Sequence, residues 1–277
     1  ISGHSHGYTN LLVTNNSGEK ILLTQAFWSG TAYDDIDITL DPASGDIIEK
    51  SASIVTTWAD AGPGLSPDPD IALMVEKANL AVKPLVSRKV GTAAVDISRW
   101  QNEAGESSLG NFITDNQRTT MRADFSFAGP SGNRENIYSG DILWGNLLSV
   151  KPFGNDLVAM TLTGEQIIRL LNQQWADREY DVILQVSGLS YTWDANLPLD
   201  DRIVEVRDAM GCPLDLKTSY RVAIDSYLAS GGSDFSVFEE GIDRVVGPTD
   251  IDALVAYIEN KVKPIEAHIE GRIKRLN

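Results

Sequence analysis

The sequence predicts an α/β chain of the α+β kind. A C-terminal mixed-sheet domain with flanking helices follows a group of β-strands and a linker helix. Three observations carry this. Residues 1–60 hold short strand-like apolar runs, one strictly alternating, broken by turn residues. The stretch from Asp60 to Asp70 is rich in Gly, Pro, Ser and Asp and interrupts that pattern. Beyond it, strand-like and helix-like segments mix, and several helices carry their own capping residues.

In order, Leu11–Thr14 and Lys20–Gln25 read as strands separated by the turn signal Asn15-Asn16-Ser17-Gly18. Tyr33–Leu40 alternates, with Ile36, Ile38 and Leu40 on one face and Asp35, Asp37 and Thr39 on the other. Pro42–Gly45 is a turn and Ile47–Val55 a further strand. Asp60–Asp70 is a linker, and a helix runs from Pro69 to about Leu85 with Pro84 near its end. The expected division is therefore 1–60, 61–90 for linker and helix, and 91–277 for the second domain. There, Ser107 and Ser108 cap a helix holding Leu109, Phe112, Ile113 and Met121. Ala123–Ala128 is a short strand. Asp156–Leu162 is another, and it ends in Thr163-Gly-Glu-Gln166, a capping box. The helix it starts buries Ile167, Leu170 and Leu171 and ends near Trp175. Val182–Val186 and Leu189–Trp193 read as paired strands, and Ile203–Val206 and Tyr220–Ile224 as two more. Thr249–Asp252 caps a helix whose apolar face is Ile251, Leu254, Val255 and Ile258.

The 277 residues carry a net charge of −16. That balance argues against a nucleic-acid polymer as partner, which needs a basic face. A small phosphate ester remains open, held by local Arg residues or metal ions. The single cysteine, Cys212, has no partner for an internal disulfide and reads as structural. No apolar run approaches a membrane span. The chain opens on Ile-Ser-Gly-His without an initiator Met, so the natural N-terminus is expected upstream.

Three groups could carry chemistry. Gly3-His4-Ser5-His6 places two imidazoles at i and i+2, suited to one or two metals, or equally two exposed His at a frayed end. Arg99, Arg118, Arg122 and Arg134 are the candidate anion binders, each of which could also be a solvated surface residue. Arg134 stands out because it lies in Gly129-Pro-Ser-Gly-Asn-Arg134, a loop suited to bidentate phosphate or carboxylate binding. Phe153 sits between Pro152 and Gly154, and Tyr227 precedes Gly231-Gly232 and Asp234. Locally each ring fits a buried core position or a platform for a flat ligand. As a pair they fit a base held between two rings, with Asp234 accepting from ribose hydroxyls.

The order of motifs goes further. GHSH, ESSLGNF (106–112), GPSGNR (129–134), SGDILWGNLLSVKPFGN (139–155), LQVSGL (184–189), YLASGGSDF (227–235) and EGRI (270–273) resemble the 5′-nucleotidase family in sequence and spacing. This is the group that includes UDP-sugar hydrolases and 2′,3′-cyclic-nucleotide phosphodiesterases. The resemblance implies a two-metal metallophosphoesterase domain followed by a nucleotide-recognition domain. Residues 1–60 would be the last strands of the first domain's β-sandwich and 91–277 the second domain. His4 and His6 would be metal ligands for two divalent ions (Mn, Zn or Co). The remaining ligands and the catalytic His are expected upstream, so the piece alone is expected to be inactive. Phe153 and Tyr227 match the two base-clamping rings, and Arg134 a substrate-binding Arg. Asn155 follows the first ring as in some members. Arg99 matches a second substrate Arg by its distance from Leu109-Gly110-Asn111.

Three departures accompany the match. Gly129 stands where the family has a substrate-binding Asn. The second ring is Tyr. Ser233 falls where Asp is common, with Asp234 next. The resemblance also implies a secreted, periplasmic or cell-wall location, a domain rotation that gates the substrate, and the rest of the catalytic domain as partner. A different class of function, a non-catalytic nucleoside-binding or cell-surface module, fits the same residues.

Overall fold

The structure, a computed structural model, describes residues 1–58, 66–175 and 180–277. It divides into two compact units, 1–79 and 80–277. Residues 60–65 of the expected linker lie outside the described residues.

The first unit is built on two hairpins. Strands β1 (Tyr8–Thr14) and β2 (Lys20–Ala26) pair antiparallel, Tyr8 opposite Ala26 and Thr14 opposite Lys20. The turn forms as the sequence predicts: Asn15 Oδ1 accepts from Ser17 N and Glu19 N, both at 2.9 Å. Strands β3 (Ala32–Leu40) and β4 (Ile47–Thr56) make the second hairpin. The alternation read in β3 does not create a buried face, because Ile38 and Leu40 are about half exposed. Among the described residues of this unit, Ala32 is the one buried hydrophobic. Helix α1 (Pro69–Val86) follows, capped by Asp68 Oδ1, which accepts from Asp70 N and Ile71 N at 2.9 and 3.1 Å. Pro84 falls in its last turn, and the helix buries no residue.

The second unit takes in the end of α1 from Leu80 and continues with β5 (Lys89–Ala93), then α2 (Ser108–Met121) and β6 (Phe125–Ala128). Next come β7 (Gly140–Leu143), α3 (Trp144–Val150), β8 (Asp156–Thr163) and α4 (Gly164–Asn172). β9 (Gln185–Ser187), β10 (Leu189–Asp194), β11 (Ile203–Asp208) and β12 (Ser219–Asp225) continue the chain. It closes with the short α5 (Ser226–Ala229), β13 (Ile242–Thr249), α6 (Asp250–Glu259) and β14 (Ile273–Leu276). A five-stranded sheet runs β13-β8-β12-β6-β9, with β6 and β12 parallel and the other neighbours antiparallel. A three-stranded sheet runs β11-β10-β14, and β5 pairs β7. This is the mixed-sheet domain with flanking helices.

Two cores hold it. One gathers Phe125, Phe127, Met160, Val222 and Ile224 of the large sheet with Ile167, Leu170 and Leu171 of α4, and with Trp175 beside Trp193. The other packs Leu109, Phe112 and Ile113 of α2 against Leu254, Val255 and Ile258 of α6 and Leu147 and Val150 of α3. Burying a Leu, Ile or Phe contributes roughly 1.5–3 kcal/mol each before the entropy of ordering it. The caps form as predicted. Ser107 Oγ accepts from Gly110 N at 3.0 Å, and Thr163 and Gln166 close a reciprocal capping box at 3.2 and 2.8 Å.

The segments at 182–186 and 189–193 depart from expectation. They do not pair: β9 joins β6, while β10 joins β11 and β14. Gly188 is the cause. Its φ is +82°, and a Cβ there would lie 2.1 Å from Asp124 O, so the chain turns sharply from one sheet into the other. Cys212 is exposed and holds a turn by its backbone, accepting from Asp208 N and donating to Asp208 Oδ1. The ESSLGNF motif has a structural use. Glu106, fully buried, accepts from Asn111 Nδ2 and Glu270 N, both at 2.7 Å, and from Ile273 N at 3.3 Å, tying α2 to the C-terminal strand.

Candidate functional site

Phe153 leaves the C-terminal end of α3. Lys151 closes the helix through its N–H to Leu147 O, Pro152 fixes the next φ, and Gly154 takes φ +63°. The ring is left 58% exposed, a large apolar surface. Arg134 faces it, with Cζ 5.9 Å from the ring centroid. That Arg leaves a 3₁₀ turn at Pro130–Gly132, and its N–H donates to Val150 O at 3.0 Å. The loop is therefore pinned to α3, the same element that carries Phe153. Asn155, part-buried, accepts from Asp250 N at 2.7 Å through its carbonyl.

Tyr227 sits on α5, which Asp225 opens by accepting from Leu228 N at 2.9 Å. It is 50% exposed. Its ring lies against Gly232, where a Cβ would come within 2.7 Å of the ring carbons, so only Gly fits there. Its hydroxyl accepts from Ser233 N at 3.0 Å and lies 3.2 Å from Ser233 Oγ. Ser233 and Asp234 both adopt left-handed φ, +54° and +60°, at roughly 1 kcal/mol each or more for residues with a Cβ. The Tyr227 hydroxyl and the Ser233 side chain are thus hydrogen-bond partners. Gly129 has φ −72°, open to any residue, and a Cβ there would meet only Leu228 Cδ2 at 3.9 Å.

Arg99 is drawn to the Arg134 loop. Its N–H donates to Asn136 Oδ1 at 2.9 Å beside the bridge between Ile97 and Ile137. Its guanidinium stacks 4.3 Å over the exposed ring of Trp100. Arg118 and Arg122 separate from this set. Arg118 Nε bonds Ser187 Oγ at 2.8 Å, and Arg122 ends α2 in a left-handed conformation. Beneath the loops lie buried charges that sequence reasoning missed: Lys151, Asp225 and Asp250. Burial pushes the Asp250 carboxyl above its ordinary range, Lys151 opposing it. The one available signal is a Lys at the end of an apolar run, and its partner Asp250 lies far along the chain.

His4 and His6 lie in the first unit, both exposed and both at positive φ. The His6 ring stacks on Trp28 at 5.5 Å. Among the described residues, no three His, Cys, Asp or Glu come together in a way that could hold a metal ion. Two imidazoles fall short of the three protein ligands of a catalytic centre, so the pair does not by itself make a metal site.

Residues 89–240 match the family model described as the 5′-nucleotidase C-terminal domain. The chain is 31% identical over 276 residues to Endonuclease YhcR of Bacillus subtilis, covering 99% of itself and 22% of that protein. It is 31% identical over 295 residues to Cell wall protein Lmo0130 of Listeria monocytogenes, covering 98% of itself and 36% of that protein. Among solved structures, a 5′-nucleotidase precursor from Thermus thermophilus aligns with TM-score 0.73 and 31% identity, over 99% of this chain and 58% of the other. The chain spans well under two thirds of each of these relatives.

Proposed function

The chain belongs to the 5′-nucleotidase family through its C-terminal domain, and from that premise we propose that it supplies the nucleotide-recognition part of a nucleotide phosphoesterase. The observation that supports this most is the exposed Phe153 ring facing the Arg134 guanidinium. Phe153 and Tyr227 stack the base; such contacts contribute roughly 1–3 kcal/mol per base. Arg134 and Arg99 meet phosphate charge. Asn155, Ser233 and Asp234 serve the ribose hydroxyls, and Gly129 leaves room where the family places an Asn. Residues 91–277 are the recognition domain in this reading, 61–90 the linker and helix, and 1–60 the tail of the metallophosphoesterase domain.

The two divalent ions, Mn, Zn or Co, belong to the full-length parent, and His4 and His6 would supply two of their ligands. The 277-residue chain should therefore show no phosphatase activity above background with AMP in Mn²⁺, Zn²⁺ or Co²⁺. Turnover by the purified chain would sink this. The relative called a cell wall protein supports a cell-wall or otherwise extracellular location, and no described helix is long and apolar enough to cross a membrane.

The relative called a cell wall protein supports a second reading, a nucleoside-binding or cell-surface module without catalysis. A panel of 5′-monophosphates, 2′,3′-cyclic nucleotides, dinucleotides and UDP-sugars, run on the full-length parent with each metal, separates the two. Hydrolysis of any of them supports the enzyme. Saturable adenosine binding with no hydrolysis supports the module.

A further inference from the structure

Lys151 is 1% exposed, although lysine is almost never fully buried unless paired. Its Nζ lies 3.4 Å from Asp250 Oδ2, on a residue 2% exposed at the start of α6. The N–H of that Asp holds Asn155 O, beyond Phe153. On another side of the ammonium lies Gly132. A Cβ there would stand 3.3 Å from Lys151 Nζ and 4.0 Å from Asp225 Oδ2. Asp225, 3% exposed, caps the helix that carries Tyr227. One buried cation thus meets the backbone of the Arg134 loop, the residue that anchors Asn155, and the neighbourhood of the Tyr227 cap. It also precedes Phe153 by two residues.

A buried ion pair is weak evidence for stability, because desolvation offsets the attraction; neutral replacements of the whole pair are often tolerated. What such a pair does supply is geometry. We infer that Lys151 is a positioning residue for nucleotide recognition: its buried ammonium, held by Asp250 and flanked by Asp225, fixes the loops of Arg134, Phe153 and Tyr227 in one arrangement. The inference rests on the nucleoside-binding reading of those loops. Lys151 acts through them, since its burial keeps it from the ligand. Gly132 is part of the device, because any side chain there would press on the ammonium.

The test uses the full 277-residue chain and a Lys151→Met/Asp250→Asn variant, which removes both charges of the pair and leaves Asp225 its cap bond from Leu228 N. Two measurements are made: amide hydrogen exchange, and adenosine titration followed by calorimetry. The expected variant melts near the native temperature, with α2 and the five-stranded sheet still protected. Exchange quickens together at 129–134, 151–155 and 226–231. The adenosine Kd rises about tenfold as three loops must now be ordered on binding. Quickening confined to 151–155, or unchanged exchange in all three segments, overturns the inference. So does an unchanged Kd in a native chain that binds. If the native chain takes up no adenosine, the nucleoside reading falls by itself. Joint quickening of the three loops then still supports Lys151 as their common anchor, and its absence still overturns it.

Discussion

Phe153 and Tyr227 are exposed to similar degrees, yet the chain holds them in opposite ways. Phe153 is set from below. Its backbone is constrained by Pro152 and Gly154, and the ring makes a cation contact with Arg134. Tyr227 is set from its rim. Its hydroxyl braces a loop in which two residues with Cβ atoms adopt left-handed φ. The first ring is therefore replaceable without disturbing its support, while the second is part of its own support. A ring that only presents a surface should affect binding alone when removed. A ring that also braces should affect binding and local order together.

The largest expected effect comes from Phe153→Ala. Adenosine affinity should fall about 5- to 100-fold, the equivalent of one stacked base. The melting temperature should stay within a few degrees, because the lost surface is mostly exposed. A large drop in stability with unchanged affinity would make the ring a core residue. Tyr227→Phe comes next. It keeps the ring and loses the Ser233 bond, a net of about 0.5–1.5 kcal/mol, so affinity should weaken roughly 2- to 10-fold. Adding Ser233→Gly, which removes the Cβ from a left-handed position, should recover part of it; no recovery would separate the brace from binding.

Gly129→Asn is gentler. The position has ordinary φ and open space, so the melting temperature should hold. AMP affinity should rise by about one hydrogen bond's worth, severalfold, if the site follows the family pattern. Weaker AMP binding would show that the loop has diverged in use. The smallest effect is one of pH. Burial holds the Asp250 carboxyl above its ordinary value, against Lys151. A raised folded-state pKa favours folding below the unfolded value, near 4, and that contribution is lost as pH rises through the folded value. Denaturant unfolding of native and Asp250→Asn chains should then show the difference shifting toward the native chain as pH falls toward 4.

The parts governed by neighbours in sequence were readable. The Ser107 and Thr163 caps, the Asn15 turn and the amphipathic α4 and α6 depend on residues within a few positions of each other. Motif order along the chain singled out the two rings and Arg134 as candidates. What depended on distant chain was hidden. β9 and β10 look like one hairpin until Gly188 is seen packed on Asp124. β5 and β7 are four or five residues each, and β13 carries Gly247 and Pro248 in an irregular register, so none shows a clear alternation. The same reasoning explains β3. Its period-two pattern is real, but period alone does not say that anything covers the face. The burial of Lys151 was least legible, because a lysine beside a proline reads as a helix end in solvent.

The Glu106 carboxylate has a consequence in time. Its three donors come from Asn111, close by, and from the backbone of Glu270 and Ile273, more than 160 residues later. A chain still being synthesised presents that carboxylate more than 160 residues before its last two donors. Until they arrive, this position next to the α2 cap must keep its water, and β10 lacks its parallel neighbour β14. The second unit is therefore expected to reach its native state only once β14 has been synthesised, however early its large sheet assembles. Loss of the segment 270–276 should act on the whole unit and not on β14 alone.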